Sequence, residues 1–286
     1  MIEGWHYYNH AAVPNWAPHD DPPCDINELV KTKEFWESDE NGNTPLLARW
    51  TSDYDCGYET NWWYTVLDKP FDMAEASSKT RQKIRKALKC YDYRRINPKE
   101  YAEQMAEIAL KDYETYAASI RPDISKDELV AKFASWDLIS HGAFDENGRL
   151  CAYHGIKDYG SYYQMIHGKS LPEEQKNQIN AGLVYTYITD LSEYIDKGKF
   201  LTNGQRNLNH QTNFNEYLCD YFNFRKAYCK LNIAYNPKIK AIVKIAYPFR
   251  KLSQKFDNIG LVHSLNVILS MEEIVRLDSK RERKHV

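Results

Sequence analysis

Long apolar runs are missing from this chain of 286 residues. None approaches the roughly 18 consecutive apolar positions that a membrane-spanning helix needs. The first residues, Met1-Ile2-Glu3-Gly4-Trp5-His6, lack the basic head and apolar stretch of a secretory signal, so a cytoplasmic protein with no membrane insertion is expected. Paired cysteine motifs are missing too. Cys24, Cys56, Cys90, Cys151, Cys219 and Cys229 contain no C-x-x-C pair, in a chain long enough to fold without staples, so free thiols are expected. There is no basic surplus: a net charge of −2 and a pI near 6.5 argue against a dedicated nucleic-acid binder. Gly-rich phosphate loops, dinucleotide fingerprints and G-x-S-x-G elbows are all absent. His6, His10, His19, Asp20, Asp21 and Cys24 lie close in sequence, but they sit among Pro14, Pro18, Pro22 and Pro23 and lack the helical spacing of H-E-x-x-H. No metal is expected.

Aromatic residues make up 14% of the chain, with 22 tyrosines. Such a surplus builds either a Tyr-rich core or a cleft for sugars and other polar ligands with apolar faces. The order of elements is most informative between Leu138 and Pro237. Leu138–Phe144, Leu150–Lys157 and Ser161–His167 read as strands joined by the polar turns Asp145–Gly148 and Asp158–Gly160, an antiparallel meander. Val184, Ile188, Leu191 and Ile195 then keep one apolar face of a helix that stops at Lys197-Gly198. A short strand at Lys199–Thr202, a helix from Asn213 to Tyr221 and a closing strand at Ala227–Ile233 follow. Together these predict a mixed α/β (α+β) chain with a half-open mixed sheet flanked by helices.

Upstream, Pro45–Thr51 and Thr60–Leu67 read as a strand pair around a loop holding Asp53, Asp55 and Gly57. A basic helix over Ser77–Lys89 follows, capped by Ser77 or Ser78, then a strand near Tyr91–Ile96 and helices over Glu100–Ser119 and Asp127–Trp136. The first 45 residues read as irregular apart from a helix over Ile26–Trp36, and Lys238–Phe256 and Leu261–Lys280 read as two helices.

This order, ending in Asn213-Phe-Asn-Glu-Tyr-Leu-Cys-Asp-Tyr-Phe-Asn-Phe-Arg225-Lys226, resembles the GCN5-related N-acyltransferase (GNAT) superfamily over about a third of the chain. Ser77-Ser-Lys-Thr-Arg-Gln-Lys-Ile-Arg-Lys-Ala87 is similar to the Ser-x-Lys-x-Arg-x-x-Ile-Arg-Lys-Ala helix of its Fem-type branch, which, with the related proteins of polysaccharide loci, gives the nearest likeness. The resemblance implies one GNAT-like core over 138–237, with an N-terminal elaboration over 1–137 packed on it and a helical extension over 238–286. It also implies an acyl slot between splayed fourth and fifth strands, and an anion site at the start of the crossover helix, where free N–H groups and the dipole favour phosphates.

On that basis Gln178, Asn180, Ala181 and Gly182 are expected to bind the donor, as are Asn209 and Asn213 near the next strand end. The stretch Gln178-Ile-Asn-Ala-Gly-Leu183 keeps the Gln of the family's Gln/Arg-x-x-Gly-x-Gly/Ala loop but has Ala and Leu at the small positions. Both acyl-CoA as co-substrate and aminoacyl-tRNA as the alternative donor therefore stay open. Tyr217 matches the family's general acid, with Tyr221 as a rival. His154, then His167, are the candidate bases, since a histidine titrates near neutrality. Arg81 and Arg85 of the basic helix form a clamp for an anionic substrate or a solvated face. Arg49, Asp53 and Trp62 form a sugar platform, because ring faces stack on sugar C–H surfaces while carboxylates bind hydroxyls. The implied function is N-acyl transfer to an amine of a small or lipid-linked sugar or cell-envelope precursor. The alternative is a catalytically silent GNAT-fold module that binds glycan or protein.

Overall fold

The computed structural model describes residues 2–116, 121–206, 208, 213–256 and 260–285. In chain order the elements are β1 (Trp5–Tyr8), β2 (Ala11–Pro14), α1 (Ile26–Leu29), β3 (Leu47–Ser52), β4 (Trp62–Leu67), α2 (Ser78–Cys90), β5 (Asp92–Ile96), α3 (Pro98–Glu114), α4 (Lys126–Ala134), β6 (Ile139–Phe144), β7 (Leu150–Asp158), β8 (Tyr162–Ser170), α5 (Ile179–Asp190), α6 (Ser192–Asp196), β9 (Phe200–Gln205), α7 (Phe214–Phe222), β10 (Arg225–Tyr235), α8 (Pro237–Ala246), α9 (Arg250–Ser253) and α10 (Gly260–His285). The chain forms two compact units, and it crosses between them four times. The first holds 1–64, 205–211 and 227–286; the second holds 65–204 and 212–226. Residues 65–137 thus fold with the meander, because β5 pairs antiparallel with β6 along Asp92↔Phe144 to Ile96↔Ser140.

In the second unit β5, β6, β7 and β8 form the antiparallel meander and β9 joins β8 in parallel. Helices α3 and α4 pack on one face of this sheet, where Phe133 and Trp136 meet Tyr153 and His167. Helix α5 packs on the other, where Tyr187 meets His154. Burial on both faces explains the near-continuous buried run of β7. The helix starts follow ordinary capping chemistry: Ser77 accepts from the Thr80 N–H, and Ser125 and Glu128 form a capping box.

In the first unit β1 and β2 form a hairpin whose turn places Asn9 and His10 at positive φ, the geometry of a tight two-residue connection. The expected pairing of β3 with β4 is corrected. β10 pairs antiparallel with β3 from Lys230↔Ser52 to Tyr235↔Leu47 and lies between β3 and β4. The connection that carries Asp53, Asp55 and Gly57, all at positive φ, is too long for a tight hairpin and leaves room for a strand from far along the chain. Among the described residues no helix is long and apolar enough to cross a membrane.

Candidate active site

The pairing of β8 with β9 runs over Tyr162↔Phe200, Tyr163↔Leu201 and Gln164↔Thr202 and stops there, although both strands continue. On its other side β8 steps out of register with β7, since Gly155 faces His167 while Ile156 faces Met165. Ile166 is the extra residue of this bulge. Past Gln164 β8 and β9 are no longer paired, and Met165, the next residue of β8, is buried. Thr202 fixes the β9 side: its hydroxyl donates to the Thr65 carbonyl and accepts from the Gly204 N–H. Asn203 donates to buried Asn215 at 2.6 Å, which ties β9 to α7.

Tyr217 projects from α7 with its ring against Phe214, Tyr221 and Phe222. Its hydroxyl has no hydrogen-bond partner among the described residues, and burial followed by the Tyr221 phenol pushes its pKa up, so it keeps its proton at neutral pH. Tyr221 is engaged differently. Lys79 and Lys83 of α2 lie 5.4 and 5.0 Å from its ring centre.

Helix α5 begins at Gln178, which adopts the left-handed conformation (φ 63°) and gives the first turn no side-chain cap. The basic helix α2 packs against that start. Lys83 Nζ donates to Gln178 Oε1 at 2.8 Å, and Lys86 Nζ donates to the Lys176 carbonyl at 2.8 Å. The start of α5 thus lacks a side-chain cap and has two lysines of α2 beside it. Arg85 is exposed, whereas Arg81 turns its guanidinium onto the Ala76 and Ala74 carbonyls at 2.5 and 3.2 Å. Asn180 is half-buried, and Ala181 is buried. Gly182 faces Tyr93, whose ring atoms lie 2.3 Å from where a Cβ would stand, while the Tyr93 hydroxyl donates to the Ile179 carbonyl at 3.0 Å. Asn213 sits exposed at the start of α7 without capping it. Asn209 lies outside the described residues.

The two histidines lie on opposite faces of the sheet. His154, 6% exposed, stacks on Tyr187 at 4.8 Å and abuts Gly168, where any Cβ would come within 2.4 Å of the ring. Burial, reinforced by His141 and His167, pushes its pKa down to about 3. His167 stacks on Tyr153 among Phe133 and Trp136, with the Tyr113 and Tyr153 hydroxyls each 3.3 Å from a ring nitrogen. Its pKa is also pushed down to about 3, by burial and then by Lys169 and Lys132. Both rings are neutral and weakly basic at ordinary pH. Beside His167 lies a group that sequence reasoning missed: Lys169 Nζ bonds both Asp112 and the Tyr116 hydroxyl at 2.5 Å. Lysine on a strand and a helical Asp-x-x-x-Tyr carry no joint signal until the sheet brings them together.

The sugar platform divides. Trp62 is 1% exposed, Asp53 ion-pairs with Lys230 at 2.6 Å, and Arg49 lines a cavity in the first unit. His6 bonds Asn15 and His10 bonds Tyr7, and among the described residues no group of His, Cys, Asp and Glu could hold a metal.

No protein-family model matches this sequence, and neither does any curated protein. Solved structures do match. FemX is 12% identical, with 76% of this chain and 78% of that chain covered at a TM-score of 0.50. The fold is GNAT-like. A conserved protein of unknown function from Bacteroides thetaiotaomicron VPI-5482 is 11% identical over 66% of this chain, at a TM-score of 0.45, and the chain spans 62% of its length. A GNAT family acetyltransferase from Brucella melitensis, in complex with acetyl-CoA, is 13% identical over 51% of this chain and 96% of its own, at a TM-score of 0.35.

Proposed function

We propose that the chain is an N-acyltransferase of the Fem-like kind, with the open edge of β8 as its acyl slot. The observation that carries this reading is the parting of β8 and β9 after Gln164↔Thr202, with the unpartnered Tyr217 hydroxyl on the helix that follows. An acyl carbonyl in the slot meets unpaired strand N–H groups, the donors that an incipient oxyanion needs. The acceptor nitrogen attacks the carbonyl carbon, and the bond to the leaving sulfur or oxygen breaks. Tyr217 passes its proton to that atom and regains one from solvent, and the acceptor nitrogen gives up its own. With His154 and His167 so weakly basic, the acceptor amine arrives neutral and its proton leaves to water.

On this reading Lys79, Lys83 and the start of α5 hold the phosphates of the donor, supported by the contacts of Lys79 with Tyr221 and of Lys83 with Gln178. Those phosphates belong either to acyl-CoA or to aminoacyl-tRNA. The acceptor is an amine of a small or lipid-linked sugar, as in polysaccharide or cell-envelope precursors. Calorimetric titration with coenzyme A and acetyl-CoA tests the donor: saturable one-to-one binding supports acyl-CoA, and its absence turns the reading to aminoacyl-tRNA. With the donor in hand, Tyr217→Phe lowers kcat about 100-fold and leaves donor affinity intact. Unchanged kcat would remove Tyr217 from the chemistry.

A further inference from the structure

The first unit holds a cavity of about 60 Å³. It has room for a few waters or one small group, not for a sugar ring. Arg49, Thr51, Trp62, Tyr64 and Gln205 are among its lining residues, as is Trp16. Two of these groups lack a partner that their surroundings call for. Arg49 is half-buried, and among the described residues the titratable groups that act on it are the Tyr64 and Tyr8 phenols; no carboxylate does. Trp62 is 1% exposed, and its buried Nε1–H has no acceptor among the described residues.

The Gln205 amide, turned so that its oxygen meets the guanidinium, accepts from Nη1 at 2.7 Å and Nη2 at 3.0 Å. That satisfies donors but brings no charge. The Tyr64 hydroxyl, 3.3 Å from Thr51 Oγ1, is held protonated by burial, which pushes its pKa up to about 12. A half-buried cation that no carboxylate matches gains when a ligand supplies the missing charge.

We infer that this cavity is a binding site for a carboxylate, held by the Arg49 fork with the Trp62 indole N–H as an additional donor. One guanidinium matches one negative charge, and a planar carboxylate presents two oxygens to its paired N–H groups. A phosphate dianion is larger and would leave one charge unmatched. Every group named belongs to the first unit.

The test uses the full chain, ¹⁵N-labelled, with the indole Nε1–H resonance of Trp62 identified through Trp62→Phe. Acetate and inorganic phosphate are titrated separately, with chloride holding ionic strength near about 0.1 M. The expected result is a saturable shift of the Trp62 resonance with acetate, weakened about tenfold or more in Arg49→Lys, which keeps the charge but loses the fork. In addition, Arg49→Met raises Tm in the absence of ligand, because it removes a half-buried charge that no carboxylate matches. A purely structural arginine would give the opposite sign. Saturation by phosphate but not acetate, no saturation by either, or a lowered Tm in Arg49→Met with unaltered acetate binding would each overturn the assignment.

Discussion

Gly182→Ala separates two explanations of the small residue at the start of α5. If Gly182 is small so that a phosphate can approach, alanine costs donor affinity and leaves the fold intact. The structure gives another reason: the added Cβ would lie 2.3 Å from Cζ and Oη of Tyr93 and 2.6 Å from Cε2. The ring must move, and its hydrogen bond to the Ile179 carbonyl goes with it. Overpacking of this kind costs about 1–3 kcal/mol. The lost hydrogen bond adds about 0.5–1.5 kcal/mol. Replacing a helical glycine returns about 1 kcal/mol. The net is a destabilisation of about 0.5–3.5 kcal/mol, or a fall in Tm of about 1–14 °C for a domain of this size. Thermal unfolding followed by circular dichroism reads it. Gly182→Ala combined with Tyr93→Leu removes the clashing ring, so the double variant is more stable than the sum of the single effects allows. An unchanged Tm in Gly182→Ala, or strict additivity in the pair, would refute the packing explanation.

Two further outcomes follow from the charges. Lys83→Met weakens donor binding about tenfold at low salt and flattens its salt dependence, while Lys89→Met, at the far end of α2, changes neither; calorimetry at two ionic strengths checks this. Stability falls as pH drops below about 6.5. His154 and His167 are held near 3 in the folded chain but take up protons near 6.5 when unfolded, so the contribution each makes is complete above 6.5 and lost as pH falls towards 3. The slope is at most about 1.4 kcal/mol per pH unit for each ring. His154→Phe makes urea midpoints less sensitive to pH between 4 and 6; a slope equal to that of the parent would refute the burial of a neutral ring.

The meander was legible because its turns are polar and its strands are short and apolar: β6, β7 and β8 differ from the sequence reading only at their ends. The cap of α2 was legible to within one residue, as Ser77 or Ser78, for a local reason: Ser77 acts within three residues. The hairpin of β1 and β2 was hidden in a stretch rich in Pro and Trp. The neighbour of β3 was illegible too, as β10 arrives from about 180 residues downstream and nothing local encodes its register. His154 shows the limit of periodicity. A period of two places it opposite Tyr153, but this sheet is covered on both faces, so either face buries its side chains.

The departure from the family's phosphate loop has a structural counterpart. At Gln178-Ile-Asn-Ala-Gly-Leu183 the helix leans its small residues inward: Ala181 is buried and Gly182 receives the Tyr93 ring. A backbone committed to packing on β5 presents fewer N–H groups at close range than a glycine-rich loop does. Positive charge beside that start comes from α2, where Lys83 reaches Gln178 and Lys86 reaches the Lys176 carbonyl. If the donor's phosphates bind there as proposed, the basic helix and the altered loop are two halves of one arrangement. On the proposed reading, restoring a glycine at Leu183 gains little donor affinity while Lys83 is present, and gains more once Lys83 is methionine. Equal effects in the two backgrounds would separate the halves.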